Sequence, residues 1–556
     1  MKNTPKFLQG LESEAAEVST SVTENGALGY GRTEHRLTDF FFKVGSMRKW
    51  TDQQIISEFL PVYAEDKQRA IELMFFIRDC RGGLGERRVF EVLYSWLIRT
   101  EPETAAKLIN LITEYGSWKT FFNLSSAFGE DNGIVLQQAI LKFLNQESAD
   151  LVSLEKNLKN KKANNPISLM AKWLPSLNAS SKKTRKIARF WYEIWSKAAK
   201  AQNRFDENCG EKIFRKEFVT LRKYLNVVEQ QMSANEWDKI DYNKVSGIAG
   251  VNYRNAFLRH DTERRTQWLG DLASGKNGAK INTATVGVVE LVHKYFEKNR
   301  FSSYWGFRGT STGPDATIEA AWKKLVEDGR SAEFSEKAAV QPFLPVIDGS
   351  GSMYSAVTQN TQSIEIAMAL GLYFADVNNG FWRNRVMSFG SNPEVYRLPD
   401  SASLLDKLIA ATKYNDCGST NIEKVFDLVL STAVKNNLKQ EDIPALVIFS
   451  DMEFDSAMYF QNGYCDTDTQ LKLFKHIAQK YDNAGYKLPK LYFWHICGRT
   501  NTIPLTENEL GLGLISGFSQ QIADMVVSKK LDPYEIVLEK LDAPRYDLVR
   551  KALKSE

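Results

Sequence analysis

The stretch "FLPVIDGSGSM", residues 343–353, runs from five apolar residues directly into a polar, glycine-rich segment. Residues 343–347 have the length and composition of a buried β-strand. Asp348, Ser350 and Ser352 follow at alternate positions and are separated by glycines, which let the chain curl tightly. Three oxygen-bearing side chains can therefore face one point. Taken alone, the motif is equally typical of a polar turn.

The surrounding region, residues 341–556, alternates apolar strand-like segments with amphipathic helical ones. The predicted strands are "FLPVID", "NRVMSFGS", "ALVIFSDM", "KLYFWHICG" and a short "GLGLISGFS". Helical patterns such as "SIEIAMALGLYFADV" and "NIEKVFDLVLSTAVKN" lie between them. This alternation predicts an α/β domain with a doubly wound parallel sheet of Rossmann-like type.

Two further loops carry oxygen ligands in this predicted sheet. The stretch "CGSTNIEKVF" presents Thr420 just before a helix, and "VIFSDMEF" ends a strand at Asp451. Ligands of doubly wound sheets sit at the carboxyl ends of the strands, where such loops converge. The predicted metal ligands are Asp348, Ser350, Ser352, Thr420 and Asp451. Two carboxylates and three hydroxyls suit Mg²⁺, with Mn²⁺ or Ca²⁺ as alternatives, and argue against zinc.

Other chemistries fit this motif less well. A phosphate-binding P-loop requires Lys-Ser/Thr after its glycines, and none follows here. The G-S-G-S segment does not have the G-x-S-x-G form of a serine nucleophile, and no His lies in a convincing partner loop. A metal-dependent hydrolase would need a general base or a second-metal cluster, and neither stands beside the five residues. We therefore expect neither an enzyme nor a small-molecule substrate. A Mg²⁺ ion held by few charges can instead accept an acidic group from a protein partner or a neighbouring subunit.

The part of the chain before residue 339 has a different sequence pattern. From residue 31 to 338 the pattern is helical almost throughout, which favours an α-solenoid or similar array. Residues 1–340 carry 51 Lys and Arg against 42 Asp and Glu, whereas residues 341–556 carry 21 against 26. The predicted organisation is a flexible arm (1–30), a helical-repeat domain (31–338), the sheet domain (339–530) and a C-terminal helix packing back (531–556).

Basic residues in the helical region combine with Gly-rich turns and aromatic residues. Such combinations suit RNA through phosphate contact and stacking, although solvated lysines and core tryptophans explain the same patterns. The stretches are "RDCRGGLGERRVF", "SSKKTRKIARFWYEIW", "LRKYLNVVEQQM" and "YRNAFLRHD". The candidate RNA-binding residues are Arg78, Arg81, Arg87, Arg88, Lys182, Lys183, Arg185, Lys186, Arg189, Arg222, Lys223 and Arg259.

The composition of the chain indicates where in the cell the protein is expected. No run of eighteen apolar residues predicts a membrane span, and the first twenty residues lack the apolar core of a signal peptide. Five scattered cysteines show no pairing or C-x-x-C pattern. We expect a cytoplasmic protein that does not contact a membrane.

Several long motifs together resemble one family. They include "FFIRDCRGGLGERRVF", "YGSWKTFFNL", "SLMAKWLPSLNASSKKTRKIAR", "YRNAFLRHD" and "DGSGSM". The chain resembles, over roughly residues 25–545, an uncharacterised TROVE-like family with a C-terminal von Willebrand factor A (vWA) domain. That family is similar to the Ro ribonucleoprotein autoantigens, whose TROVE domain is a ring of HEAT-like repeats closed by a vWA domain. Ro proteins bind small structured RNAs and the single-stranded ends of misfolded RNAs.

The resemblance implies a function as well as a fold. The five oxygen-bearing residues match the metal-ion-dependent adhesion site (MIDAS) of vWA domains, in which the last Asp acts through water. We therefore expect a Ro-like RNA-binding protein, a ribonucleoprotein component, with a Mg²⁺-dependent partner site. The alternative is a protein-interaction scaffold that uses the helical array and the MIDAS without RNA.

Overall fold

The chain packs into two compact units, each assembled from separate stretches. The computed structural model describes residues 20–554, apart from residues 132, 161–164, 205–208, 226, 299–312, 332–333, 338–341, 359, 391, 401, 416 and 456–472. The sheet unit takes its described residues from 1–73, 82–84 and 283–543. The helical unit takes them from 74–81, 85–282 and 544–556. The sheet unit therefore takes residues from both sides of the boundaries predicted after residues 30, 338 and 530, and the helical unit joins residues 74–81 and 85–282 with residues 544–556.

The helical unit consists of helices and their connections, so the predicted helical character of this region is confirmed. A helix shared by both units spans Lys67–Arg78. The others are Arg87–Thr100, Pro102–Leu108, Trp118–Asn123, Ser125–Asp131, Ile134–Lys159, Met170–Trp173, Lys182–Ala201, Gly210–Tyr224, Val228–Ser233, Gly247–Asn252, Arg254–His260, Thr262–Ser274 and Asp547–Lys554. Their predicted arrangement as HEAT-like repeats stays a prediction.

Aromatic side chains form much of the core of the helical unit. The Trp191 ring lies 5.3 Å from the Phe121 ring and 4.8 Å from the Phe143 ring, measured between centroids. Trp191 is fully buried and donates its indole N–H to Ser125 at 2.7 Å. Trp195 is also buried, against Phe214. These two tryptophans therefore stabilise the fold rather than offer surfaces for stacking RNA bases.

The sheet unit is built on a six-stranded sheet. Its strands are β3 (Phe343–Asp348), β4 (Arg385–Phe389), β5 (Val395–Arg397), β6 (Ala445–Ser450), β7 (Leu491–His495) and β8 (Leu512–Ser516). The strand order is β5-β4-β3-β6-β7-β8, and all neighbours pair in parallel except β4 and β5. The predicted α/β layout is confirmed, while the sheet is mixed because the short edge strand β5 runs antiparallel.

Helices cover both faces of this sheet. On one face Leu344 and Val346 of β3 share an apolar cluster with Phe426 and Phe474 from two helices. On the other face Phe374 contacts Phe343, with ring centroids 5.6 Å apart. The helices of the sheet unit are Arg36–Lys43, Asp52–Glu65, Val288–Lys298, Ala316–Gly329, Ser363–Val377, Leu404–Thr412, Ile422–Lys435, Leu473–Asn483 and Pro533–Leu541. Among the described residues, no helix is long and apolar enough to cross a membrane.

Residues 20–30, which the sequence assigned to a flexible arm, form a hairpin in the sheet unit. Its strands are β1 (Thr20–Val22) and β2 (Leu28–Tyr30), paired antiparallel. Tyr30 and Ile503 exchange two backbone hydrogen bonds of 2.8 Å each. Ala27 is buried in the apolar cluster of the sheet unit. The hairpin is therefore joined to a loop almost 500 residues away in sequence.

Candidate functional site

The first predicted ligand loop leaves β3 at the carboxyl edge of the sheet. Asp348 is fully buried, and its Oδ1 accepts a hydrogen bond from the Ser350 N–H at 2.9 Å. The hydroxyl oxygens of Ser350 and Ser352 lie 3.1 Å apart. Gly349 passes so close to Asn415 that a Cβ would lie 2.7 Å from its side-chain oxygen. The glycine is thus required for the close approach of two loops.

Asp451 follows the neighbouring parallel strand β6 and reaches the same edge. Residues 347 and 449 are register partners, so the ends of β3 and β6 are level. Ser352 hydrogen-bonds to the Asp451 carboxyl group. Ser450, which sequence reasoning missed, donates its hydroxyl to Asp348 Oδ2 at 2.5 Å. The structure therefore brings four predicted ligands together: Asp348, Ser350, Ser352 and Asp451.

Thr420 lies on a third loop, immediately before the helix Ile422–Lys435. It is buried, and its carbonyl oxygen accepts a hydrogen bond from the Asp455 N–H at 3.0 Å. Asp455 in turn interacts electrostatically with Asp348. Asp455 was not predicted, although it lies four residues after Asp451 in the same loop. The backbone of Thr420 is thus bonded to the segment that follows Asp451.

The buried carboxylates of Asp348 and Asp451 each make ionisation of the other less favourable. Burial, together with the nearby Asp455, raises the pKa of Asp348 to about 6. Burial and the Asp348 charge raise the pKa of Asp451 to about 7. A divalent cation between them would relieve both the desolvation and the repulsion. The donor set therefore fits a hard cation such as Mg²⁺.

The cation would be held mainly by oxygen. Within the described part of the chain, no three His, Cys, Asp or Glu side chains converge in a way that could hold a metal ion. Two carboxylates and three hydroxyls suit Mg²⁺, which usually keeps water ligands that an acidic group of a partner could replace. When bound, the ion would supply a positive centre for an acidic group. Ser352 is half-buried, so solvent and ions can reach the candidate ligands from the side where Ser352 lies.

Binding of Mg²⁺ is expected to weaken about tenfold or more between about pH 8 and pH 5, because protons compete for both carboxylates. Their folded-state pKa values are raised, so without metal their contribution to stability is greatest below pH 3.8. That contribution is lost as the pH rises towards about 7. Thermal denaturation with and without Mg²⁺ should show a larger rise in Tm at pH 8 than at pH 5. An equal rise at both would contradict this assignment.

Many of the predicted RNA-binding arginines are used inside the helical unit. Arg78 is buried and donates to the Thr120 hydroxyl at 3.0 Å. Arg222 donates to the carbonyl oxygens of Ala171 and Leu174, at 2.7 Å each. Further internal contacts are Arg81 to the Glu114 carbonyl, Arg185 to the Ala179 and Ser180 carbonyls, and Arg189 to the Glu211 carboxylate. These five guanidinium groups therefore already have partners within the helical unit, although Arg81, Arg185 and Arg189 are exposed.

Other predicted basic residues lie at the surface of the helical unit. Arg88 is half-buried, and the exposed residues are Arg87, Lys182, Lys183, Lys186, Lys223 and Arg259. Lys182–Lys186 open the helix Lys182–Ala201, whose N-cap Ser181 accepts a hydrogen bond from the Thr184 N–H. Arg87 and Arg88 open the helix Arg87–Thr100. Both helices therefore begin with positive side chains at the end where the helix dipole already favours anions.

Residues from two of these regions and from a third helix interact electrostatically with Glu91. Arg87 and Lys183 both interact electrostatically with the Glu91 carboxylate, and Arg87 also interacts with Lys119. We call Arg87, Lys119 and Lys183 the basic cluster. Burial and the nearby Arg87 lower the pKa of Lys119. The Lys119 ammonium also lies 5.5 Å from the centroid of the Trp173 ring. Sequence reasoning missed Lys119, because it is an isolated lysine in an aromatic helix.

Two protein families match this chain. Residues 23–151 and 135–332 match the family described as Domain of unknown function (DUF2828), and the two matches span more than half of the chain. The chain belongs to this DUF2828 family. In this DUF2828 protein, residues 343–543 also match a second family, Domain of unknown function (DUF7788), and that match contains all five candidate metal ligands.

A viral protein is related to this DUF2828 protein over most of its length. Uncharacterized protein L728 of Acanthamoeba polyphaga mimivirus is 29% identical to it over 553 residues. The alignment covers 94% of this chain and 87% of the viral protein. The relationship therefore extends across both the helical unit and the sheet unit.

Proposed function

We propose that this DUF2828 protein binds RNA through its helical unit and holds Mg²⁺ in its sheet unit. In this proposal it is a Ro-like ribonucleoprotein component, with a TROVE-like ring of HEAT-like repeats and a vWA domain. The order of three oxygen-bearing loops on a doubly wound sheet supports the vWA part. The bound Mg²⁺ would accept an acidic group from a protein partner or a neighbouring subunit.

The observation that carries the RNA proposal is the basic cluster. Arg87, Lys119 and Lys183 come from three separate helices, and all three lie near the same carboxylate, Glu91. Burial raises the pKa of Glu91 despite these cations. Three cations around one carboxylate leave a net positive charge, and the resulting field favours a phosphate group. Trp173, beside Lys119, adds an aromatic surface suited to a nucleotide base.

Salt titration tests this proposal directly. We expect a small structured RNA with a single-stranded 3′ tail to bind in filter-binding assays, with affinity falling steeply as salt rises. The double variant Arg87→Glu/Lys183→Glu should weaken binding by about tenfold or more and reduce the salt slope by about two. A control with the same charge change is Lys439→Glu/Lys475→Glu in the sheet unit, where both lysines are exposed. It should bind RNA nearly as the wild type does.

A protein-interaction scaffold is the second candidate. It is favoured by the five arginines that already contact other groups of the helical unit, since these hydrogen bonds and ion pairs compete with contacts to RNA phosphates. No RNA binding at low salt would exclude the RNA proposal. Mg²⁺-dependent capture of a protein partner would then support the scaffold. Equal RNA binding by the basic-cluster variant and the control would show that RNA does not contact this cluster.

A further inference from the structure

The turn between β1 and β2, residues 23–26, lies beside the candidate metal site; we call it the N-terminal turn. Gly26 closes it with a φ of +89°, a conformation that suits glycine. The Asn25 side-chain amide donates to the Thr420 hydroxyl oxygen at 3.2 Å and to the Glu453 carbonyl oxygen at 2.6 Å. The N-terminal turn therefore touches one predicted ligand and the segment that follows another.

The orientation of the Asn25 amide follows from its second partner. A backbone carbonyl oxygen can only accept a hydrogen bond, so the NH₂ group of Asn25 must face Glu453. The same NH₂ group then donates to Thr420. A hydroxyl oxygen has two lone pairs, so one remains for a cation. Asn25 thus fixes the rotamer of Thr420 while leaving its oxygen able to bind metal.

A buried carboxylate fixes the N-terminal turn in place. The Glu453 side chain is 1% exposed and accepts hydrogen bonds from the backbone N–H groups of Glu24, Arg499 and Thr500. The Thr23 hydroxyl donates to the Phe454 carbonyl oxygen at 2.6 Å. These contacts hold the turn against the residues directly after Asp451.

Arg499 extends this connection to the first ligand loop. Its guanidinium group pairs with Glu24 and also donates to the Ser355 hydroxyl at 2.7 Å. Ser355 lies three residues after Ser352. The N-terminal turn is therefore connected to all three loops that carry the predicted ligands.

We infer that the N-terminal turn contributes to metal binding, because Asn25 positions the Thr420 hydroxyl for the metal ion. The inference rests on the proposed Mg²⁺ function. If the docked turn increases Mg²⁺ affinity by a given factor, then bound Mg²⁺ must shift the docking equilibrium of the turn by that same factor. Mg²⁺ affinity and docking of residues 20–30 are therefore coupled.

Calorimetric titration of the full chain with Mg²⁺ alone tests this coupling. Asn25→Leu keeps the approximate size but removes the donor, and should weaken Mg²⁺ binding by about three- to tenfold. Thr420→Val should also weaken binding, and adding Asn25→Leu to it should cause no further loss. The control Asn508→Leu removes an amide that bonds the carbonyls of Pro489 and Gly511, and should leave Mg²⁺ affinity unchanged.

Hydrogen exchange gives an independent readout. Mg²⁺ should slow exchange of the Glu24 and Ala27 amides in the wild type, and should slow it less in Asn25→Leu. If the wild type binds Mg²⁺ but Asn25→Leu binds equally well, the inference is wrong while the metal site stands. Additive losses in Asn25→Leu and Thr420→Val would also overturn it. If the wild type fails to bind Mg²⁺, the proposed metal function itself is wrong.

Discussion

Replacing Asp348 with Asn is expected to weaken Mg²⁺ binding by at least about 100-fold, the largest effect on the metal site. Metal affinity falls about 10- to 100-fold when a residue outside the ligand set is lost, so a ligand should matter at least as much. Asp348 supplies one of the two buried carboxylates. A neutral amide oxygen binds Mg²⁺ more weakly than a carboxylate does, and the substitution removes one of the two negative charges.

The Asn variant also separates metal binding from folding. Its side-chain oxygen can still accept from the Ser350 N–H, and it no longer repels the Asp451 charge. Without metal, the free energy of unfolding should therefore be equal to or above that of the wild type at neutral pH. Asp482→Asn, an exposed carboxylate of the same unit, is the matched control. If calorimetry finds equal Mg²⁺ affinity for wild type and Asp348→Asn, the ligand assignment is wrong.

The sheet could be predicted because its strands are buried on both faces. The residues of β3, β6, β7 and β8 are all buried, and such strands appear in sequence as continuous apolar runs. Strand β5 was not predicted, because it has only three residues and two of them, Val395 and Arg397, are exposed. A short edge strand gives no apolar run. The antiparallel pairing with β4 followed from no pattern in the sequence.

The meeting of the candidate ligand residues at one edge of the sheet could be predicted for a related reason, but the residues around them could not. Asp348 and Asp451 each follow an apolar run, so parallel pairing of β3 and β6 was enough to place them together. Asn25 has no such local signal. Its place beside Thr420 depends on bonds such as that between Tyr30 and Ile503, whose partners are far apart in sequence. Sequence patterns report local geometry, and these contacts are long-range.

The same limit applies to the basic residues of the helical unit. An arginine in a polar stretch has the same sequence signal whether it faces solvent or bonds a carbonyl group. Arg222 bonds two carbonyl oxygens, whereas its neighbour Lys223 is exposed. Only the packing of the helix Met170–Trp173 against the helix Gly210–Tyr224 distinguishes them.

Replacing Asp79 with Ala is expected to lower the free energy of unfolding of the helical unit by about 3 kcal/mol. Asp79 is fully buried within the stretch that the sequence suggested for RNA binding. Its carboxylate accepts from the Arg545 guanidinium at 2.7 Å and from the Tyr546 hydroxyl at 3.1 Å. It also accepts from the Arg81 N–H at 3.0 Å. Removal of Asp79 leaves these donors without their acceptor, which costs more than the pair contributes when intact.

The loss should extend to the C-terminal segment, because Asp79 anchors it. Tyr546 stacks on Tyr115 with 5.5 Å between ring centroids, and the Tyr115 hydroxyl donates to the Arg545 carbonyl oxygen at 2.6 Å. Denaturant unfolding should show the lower stability, and hydrogen exchange should rise in the helix Asp547–Lys554. Glu155→Ala, which breaks an exposed pair with Lys159, should leave the midpoint unchanged. Asp79 is buried, so the RNA affinity of the folded variant should be retained. Selective loss of RNA binding at unchanged stability would instead place Asp79 in the RNA-binding surface.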